Sequence, residues 1–154
     1  MYTERISERM FPAGKIDPDA YVPAVYQTGW VYCGNAHRIQ ALLSVGEMAQ
    51  GATLDAQLWQ ASDALGTNAA LILNKAGTAW KVITQLTAAG GDGDDTLVIE
   101  CQTEELAQNG SLKNEWVNLI VTVAVGNVDF GAILFTESPR FAPVSQANYT
   151  EVVD

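Results

Sequence analysis

Between Glu115 and Phe135 the chain reads EWVNLIVTVAVGNVDFGAILF, and apolar residues recur at every second position on both sides of Gly126-Asn127. The first half is rich in β-branched residues and free of proline, and Gly-Asn is a two-residue connection that fits primed hairpin turns. The spacing predicts a long β-hairpin with Val125 opposite Val128, Val123 opposite Phe130, Val121 opposite Ala132 and Leu119 opposite Leu134. Every member of that face is apolar. The other face pairs Ala124 with Asp129, Thr122 with Gly131, Ile120 with Ile133 and Asn118 with Phe135, so its polarity is mixed. A one-residue slip would exchange the faces, so turn chemistry and pattern point to the same register. Gly126, Asn127 and Gly131 weigh against a single buried helix over these residues.

The same period recurs upstream. In His37 to Glu47, Ile39, Ala41, Leu43 and Val45 alternate with Arg38, Gln40 and Ser44, which favours a strand over a helix that would have to end by Gly46. Thr53 to Ser62 puts Leu54, Ala56 and Leu58 on one side and Asp55, Gln57 and Trp59 on the other; Leu54, Leu58, Ala61 and Leu65 also fit one helical face, with Thr53 as cap and Gly66 as stop. Gly29 to Cys33, Thr78 to Thr87 and Leu97 to Gln102 are further strand expectations, and Thr103 to Gly110 fits one capped helical turn or a loop. Residues 1–28 carry Pro12, Pro18 and Pro23 and read as an N-terminal arm that either packs along its own domain or reaches a neighbour. Residues 29–137 form the body. Residues 138–154 form a C-terminal tail with anchors at Phe141, Val144 and Tyr149.

About seven strands separated by Gly and Asp loops, with no long helix between them, predict an all-β antiparallel sandwich of jelly-roll or Greek-key wiring with extended N- and C-terminal arms. A length of 154 residues with 48% hydrophobic content is enough for one self-sufficient core. The formal charge of −10, from 18 acidic against 8 basic residues with no Lys/Arg cluster, disfavours nucleic acid and leaves protein as the expected partner. Cys33 and Cys101 lack metal-ligand spacing and read as buried free thiols. No signal-peptide pattern or membrane-length apolar run occurs, which places synthesis in a cytoplasm.

Chemistry is sparse. His37 is the lone histidine, at the start of a strand, and motifs for nucleotide binding, metalloproteases and serine hydrolases are missing. No catalytic residue and no cofactor is expected. Asp92, Asp94 and Asp95 in a glycine-rich loop are a weak calcium candidate, without EF-hand spacing, against the plainer reading of a solvated turn. Glu104-Glu105 reads as a solvated face. Trp59 and Trp116 fall on the polar sides of their strands, where a neighbouring subunit or an arm would cover them. Tyr21, Tyr26, Phe141 and Tyr149 complete the interface expectation.

Several stretches together, MYTERISE, SVGEMAQGATLDAQLWQASDALGT, KVITQLTAAGGDGDD, TEEL, SPRFAPV and NYTEVVD, resemble small structural proteins of tailed-phage and prophage head-gene clusters. The resemblance implies a virion component of the head decoration (cement) type, located on the capsid surface. The partners it implies are the major capsid protein and further copies of the chain, in a homo-oligomer. A carbohydrate-binding or receptor-binding sandwich, for which four tryptophans could provide stacking faces, and a head-tail connector or tail component are the alternatives.

Overall fold

The computed structural model describes residues 6–74, 76–109 and 112–139. After a single helical turn, Ile6–Arg9, the described chain is built from strands: β1 Met10–Tyr21, β2 Ala24–Gln27, β3 Val31–Tyr32, β4 Ala36–Met48, β5 Thr53–Ala61, β6 Ala70–Leu71, β7 Leu86–Thr87, β8 Thr96–Gln102, β9 Gln108–Asn109, β10 Leu112–Lys113, β11 Trp116–Ala124 and β12 Val128–Pro139. They form one sheet in the order β1-β12-β4-β8 and a second in the order β2-β11-β5-β6, with β3 also on β11 and β7 also on β5. A separate two-stranded ribbon joins β9 and β10.

The pairing is nested and antiparallel throughout. β1 pairs with β12, β2 and β3 with β11, β4 with β8, and β5 with β6 and β7. A long antiparallel ribbon rolled across itself gives this order, so the sandwich is a jelly roll. Alternation aims one side of each strand inward: Leu54, Ala56 and Leu58 of β5 and Leu119, Val121 and Val123 of β11 meet Ile39, Ala41 and Leu43 of β4 and Phe130, Ala132 and Leu134 of β12, all buried.

The expected hairpin is corrected. β11 and β12 do not pair; they lie in different sheets, and Val125 to Asn127 crosses between the layers. At the crossing the Gly126 N–H donates to the Ala124 carbonyl (2.9 Å), and the Ala49 N–H donates to the Asn127 carbonyl (2.9 Å). The inward face is the one the alternation predicts on both strands. Its occupants meet across the core instead of side by side, because β5 and β4 each offer a long alternating partner for one of the two ladders.

Thr78 to Thr87 also departs from expectation. Only Leu86–Thr87 is regular strand. Upstream of it the chain follows β5 loosely, with the Leu58 N–H donating to the Lys81 carbonyl (2.9 Å) and the Ile83 N–H to the Ala56 carbonyl (3.0 Å). Of the two alternatives for the N-terminal stretch, residues 10–27 pack along their own domain: β1 and β2 are each strands of a sheet, and Phe11 and Ile16 are buried. Thr103 to Gly110 opens with the capped turn, of 3-10 type, at Thr103–Glu105.

Candidate interaction surfaces

Tyr21 and Tyr26 close one end of the sandwich. Their ring centroids are 4.3 Å apart, and they lie 4.5 and 5.9 Å from the ring of Phe130. The Tyr21 hydroxyl donates to the Asp17 carbonyl (2.5 Å) and the Tyr26 hydroxyl to the Val22 carbonyl (2.8 Å). Both rings therefore pin the turn between β1 and β2 onto the core and leave one edge outward.

Trp59 and Trp116 are half-buried and stand on the outer face of the second sheet, the side their strands' polar positions occupy. Tyr32 packs on Trp116 with centroids 5.5 Å apart. Trp59 Nε1 is buried and has no hydrogen-bond partner among the described residues. Between them Asn118, also outward by register, is sealed by Gln27, whose Oε1 accepts from its amide (2.9 Å), and by Thr28. The chain's own residues 27–32 thus cover part of this face. Phe141 and Tyr149 lie outside the described residues.

The outer face of the first sheet carries an apolar row that crosses three strands. Ile133 of β12 is level with Leu42 of β4, and Leu42 with Val98 of β8. A groove of about 910 Å³ opens over the same face between this row and Lys15 to Ala20 of β1, bordered by Asp17, Asp19, Asp94 and Asp129. On the flank beside β8, a second hollow of about 390 Å³ separates Leu97 to Glu100 from Trp80 to Ile83. Beside Lys81, Thr84 and Glu100 its lining carries three exposed apolar side chains: Trp80 is 51%, Val98 50% and Val82 39% exposed.

Next to that flank sits a polar clasp that the sequence reading missed. Lys81 Nζ lies 2.9 Å from Glu105 Oε2, and the same oxygen accepts from the Gln102 N–H (2.7 Å). Burial alone would raise the Glu105 carboxyl. The Lys81 hydrogen bond, the Gln102 N–H, the Lys81 charge and the Cys101 thiol outweigh it and hold the group below the usual glutamate range. Cys101 is buried and pushed up to about 12, first by desolvation and then by the Glu105 charge, so it is an inert thiol; Cys33 is likewise buried, its thiol donating to the Glu115 carbonyl (3.1 Å). The Gln102-x-x-Glu105 spacing is a capping-box signal at which Glu105 could have been recognised as bound.

The acidic loop is arranged as a turn. The Asp92 carboxylate accepts from the Thr87 N–H (2.8 Å), and Asp94 takes a left-handed backbone (φ 64°) with its N–H on the Gly46 carbonyl (3.2 Å). Among the described residues no group of three or more His, Cys, Asp or Glu side chains could hold a metal ion. His37 is exposed at the start of β4; its backbone carbonyl, with that of Ala36, accepts from Thr103 Oγ1.

No protein-family model and no curated protein matches the sequence. Solved structures do match the fold. A chain in the structure of infectious bursal disease virus Gt strain superimposes with a TM-score of 0.50 at 11% identity, over 88% of this chain and 33% of that one. The chain thus spans about a third of the length of that relative. A prophage-derived protein, YomS of SPBc2, matches with a TM-score of 0.39 at 11% identity, over 78% of this chain and 94% of that one. The broad bean stain virus structure gives 0.40 at 11% identity, over 90% and 92%. At 11% identity the first of these likenesses concerns fold alone, and it agrees with the jelly roll derived from the strand pairing.

Proposed function

We propose that this chain is a non-enzymatic virion structural protein, a decoration or cement protein that binds a phage head shell through protein contacts. The observation that carries the reading is the apolar row Ile133–Leu42–Val98 on an outward sheet face. A freely solvated antiparallel sheet alternates apolar inside with polar outside, so an apolar band on the outer side is a surface built to be covered. The phage-like sequence stretches and a fold shared with a chain from a virus structure support the same reading. The acidic net charge suits a component that touches the shell and not the packaged genome.

In this reading the body sits on the shell by the face of the first sheet, and the C-terminal tail with Phe141 and Tyr149 latches onto an adjacent subunit. Ordering that tail costs conformational entropy, which pocketed aromatic anchors must offset. The test uses heads lacking the protein. Full-length chain should bind them saturably and raise their resistance to heat, and Leu42→Lys should abolish binding while the isolated chain stays folded. Deleting residues 140–154 leaves every described strand intact and should lower occupancy. Full occupancy and unchanged heat resistance with Leu42→Lys would overturn the shell-binding face, and the same result with the truncation would overturn the latch.

A further inference from the structure

The free edges of the two sheets differ in how they are protected. β1 carries Pro12 and Pro18, the Lys15–Asp17 ion pair (2.8 Å) and two register shifts; β2 has four residues and follows Pro23. These are the usual devices against edge-to-edge pairing. β8 has none of them: Thr96–Gln102, TLVIECQ, is a regular seven-residue strand, rich in β-formers, without proline, lysine or bulge, and among the described residues it pairs only with β4. The Val45 N–H donates to the Asp95 carbonyl, so the odd-numbered residues of β8 direct their backbone groups to β4 and the even-numbered ones direct theirs to the open side. The Gln102 N–H on that side is capped by Glu105. Among the described residues Thr96, Val98 and Glu100 are left with a free ladder, beside the exposed Trp80 and Val82.

We propose that β8 pairs with β8 of a second copy about a two-fold axis through Val98, joining two four-stranded sheets into one. The register selects the occupant. Even residues must face even residues, which leaves self-pairings centred on Leu97, Val98 or Ile99. Centring on Leu97 leaves the ladder groups of Glu100 unpaired in both copies, and centring on Ile99 sets Thr96 against Gln102, whose N–H Glu105 already holds. Centring on Val98 uses all three free residues: it sets Val98 against itself, Leu97 against Ile99 and Thr96 against Glu100. The same axis brings the Trp80–Val82 rims of the two copies together, so both layers of the flank are covered in one isologous contact. The interface stands or falls independently of the shell-binding role.

Sedimentation of the full-length chain should give twice its 16.5 kDa. Val98→Pro removes a donor that β4 does not use, and Val98→Lys sets two like charges on the axis. Each should return the protein to monomer at concentrations where the wild type is fully dimeric, with unchanged circular dichroism. Val98→Cys should cross-link to a covalent dimer under mild oxidation, since the two Cα atoms of a directly opposed pair lie about 5.5 Å apart, whereas the wild type, its thiols buried, should not. A monomeric wild type, or a dimer indifferent to Val98→Lys combined with no cross-link through Cys at 98, would overturn the proposal. If Val98→Pro fails to fold, the lysine and cysteine variants decide.

Discussion

At the residue scale, the side chains that hold the flank together are charged ones in little water. The Lys81 and Glu105 side chains are 12% and 21% exposed. Because the Glu105 carboxyl is depressed in the folded chain, its contribution to stability is complete above the ordinary glutamate range and is lost as pH falls through the lower native value. Glu105→Gln keeps an acceptor for the Gln102 N–H and removes the charge. The variant should therefore melt below the wild type at neutral pH, and the gap should close as pH falls below the ordinary glutamate range. A gap in melting temperature that stays constant over that range would show that the ion pair contributes nothing. Legibility failed here for a definite reason. Glu104-Glu105 is adjacent and acidic, the ordinary mark of a solvated pair, and what sets Glu105 apart is the Gln102-x-x-Glu105 spacing together with a partner 24 positions upstream in the sequence, Lys81.

At the element scale, the connection between β11 and β12 is where sequence and fold part company, and the cause is geometric. Alternation with period two states which side of a strand is apolar, not what that side meets, and the same apolar face serves a hairpin and a crossing between layers equally well. Hence β4, β5, β8, β11 and β12 were legible as strands with the correct inward residues, while the partner of β11 was not. The local evidence of the crossing is Val125, a β-branched residue at φ 68°, 78% exposed. A left-handed backbone costs such a residue about 1–2 kcal/mol, and glycine in its place gives back about 0.5–1 in chain entropy. Val125→Gly should then stabilise the protein by about 0.5–1 kcal/mol in denaturant unfolding. A two-residue hairpin turn with Val125 as its flanking strand residue predicts the opposite sign. Irregularity hid Trp80 and Val82 in a comparable way: their segment has the pattern of a strand but only brushes β5, so residues expected on a half-buried face end up on an open flank.

At the scale of the whole molecule, the first long strand pairs with the last described one, so no piece of the body stands alone and any assembly must use surfaces left over after the roll has closed. Those surfaces are apolar rows bordered by acids. Each copy brings Asp94, Asp95, Glu100 and Glu104 to the two ends of β8, and the chain as a whole carries −10. Two copies joined at β8 would therefore be held by backbone hydrogen bonds and the Val98, Trp80 and Val82 contact, against a mutual repulsion that is long-range at low ionic strength. Screening shortens that repulsion from about 30 Å at 0.01 M salt to about 8 Å at 0.15 M, while hydrogen bonds and apolar contact are barely affected. The dimer should tighten over this range, with the dissociation constant from sedimentation equilibrium falling several-fold and levelling off once the Debye length is shorter than the spacing of the acidic ends. A contact made of ion pairs has the reverse dependence, so a dimer that dissociates as salt is added would have to be built somewhere other than on this edge.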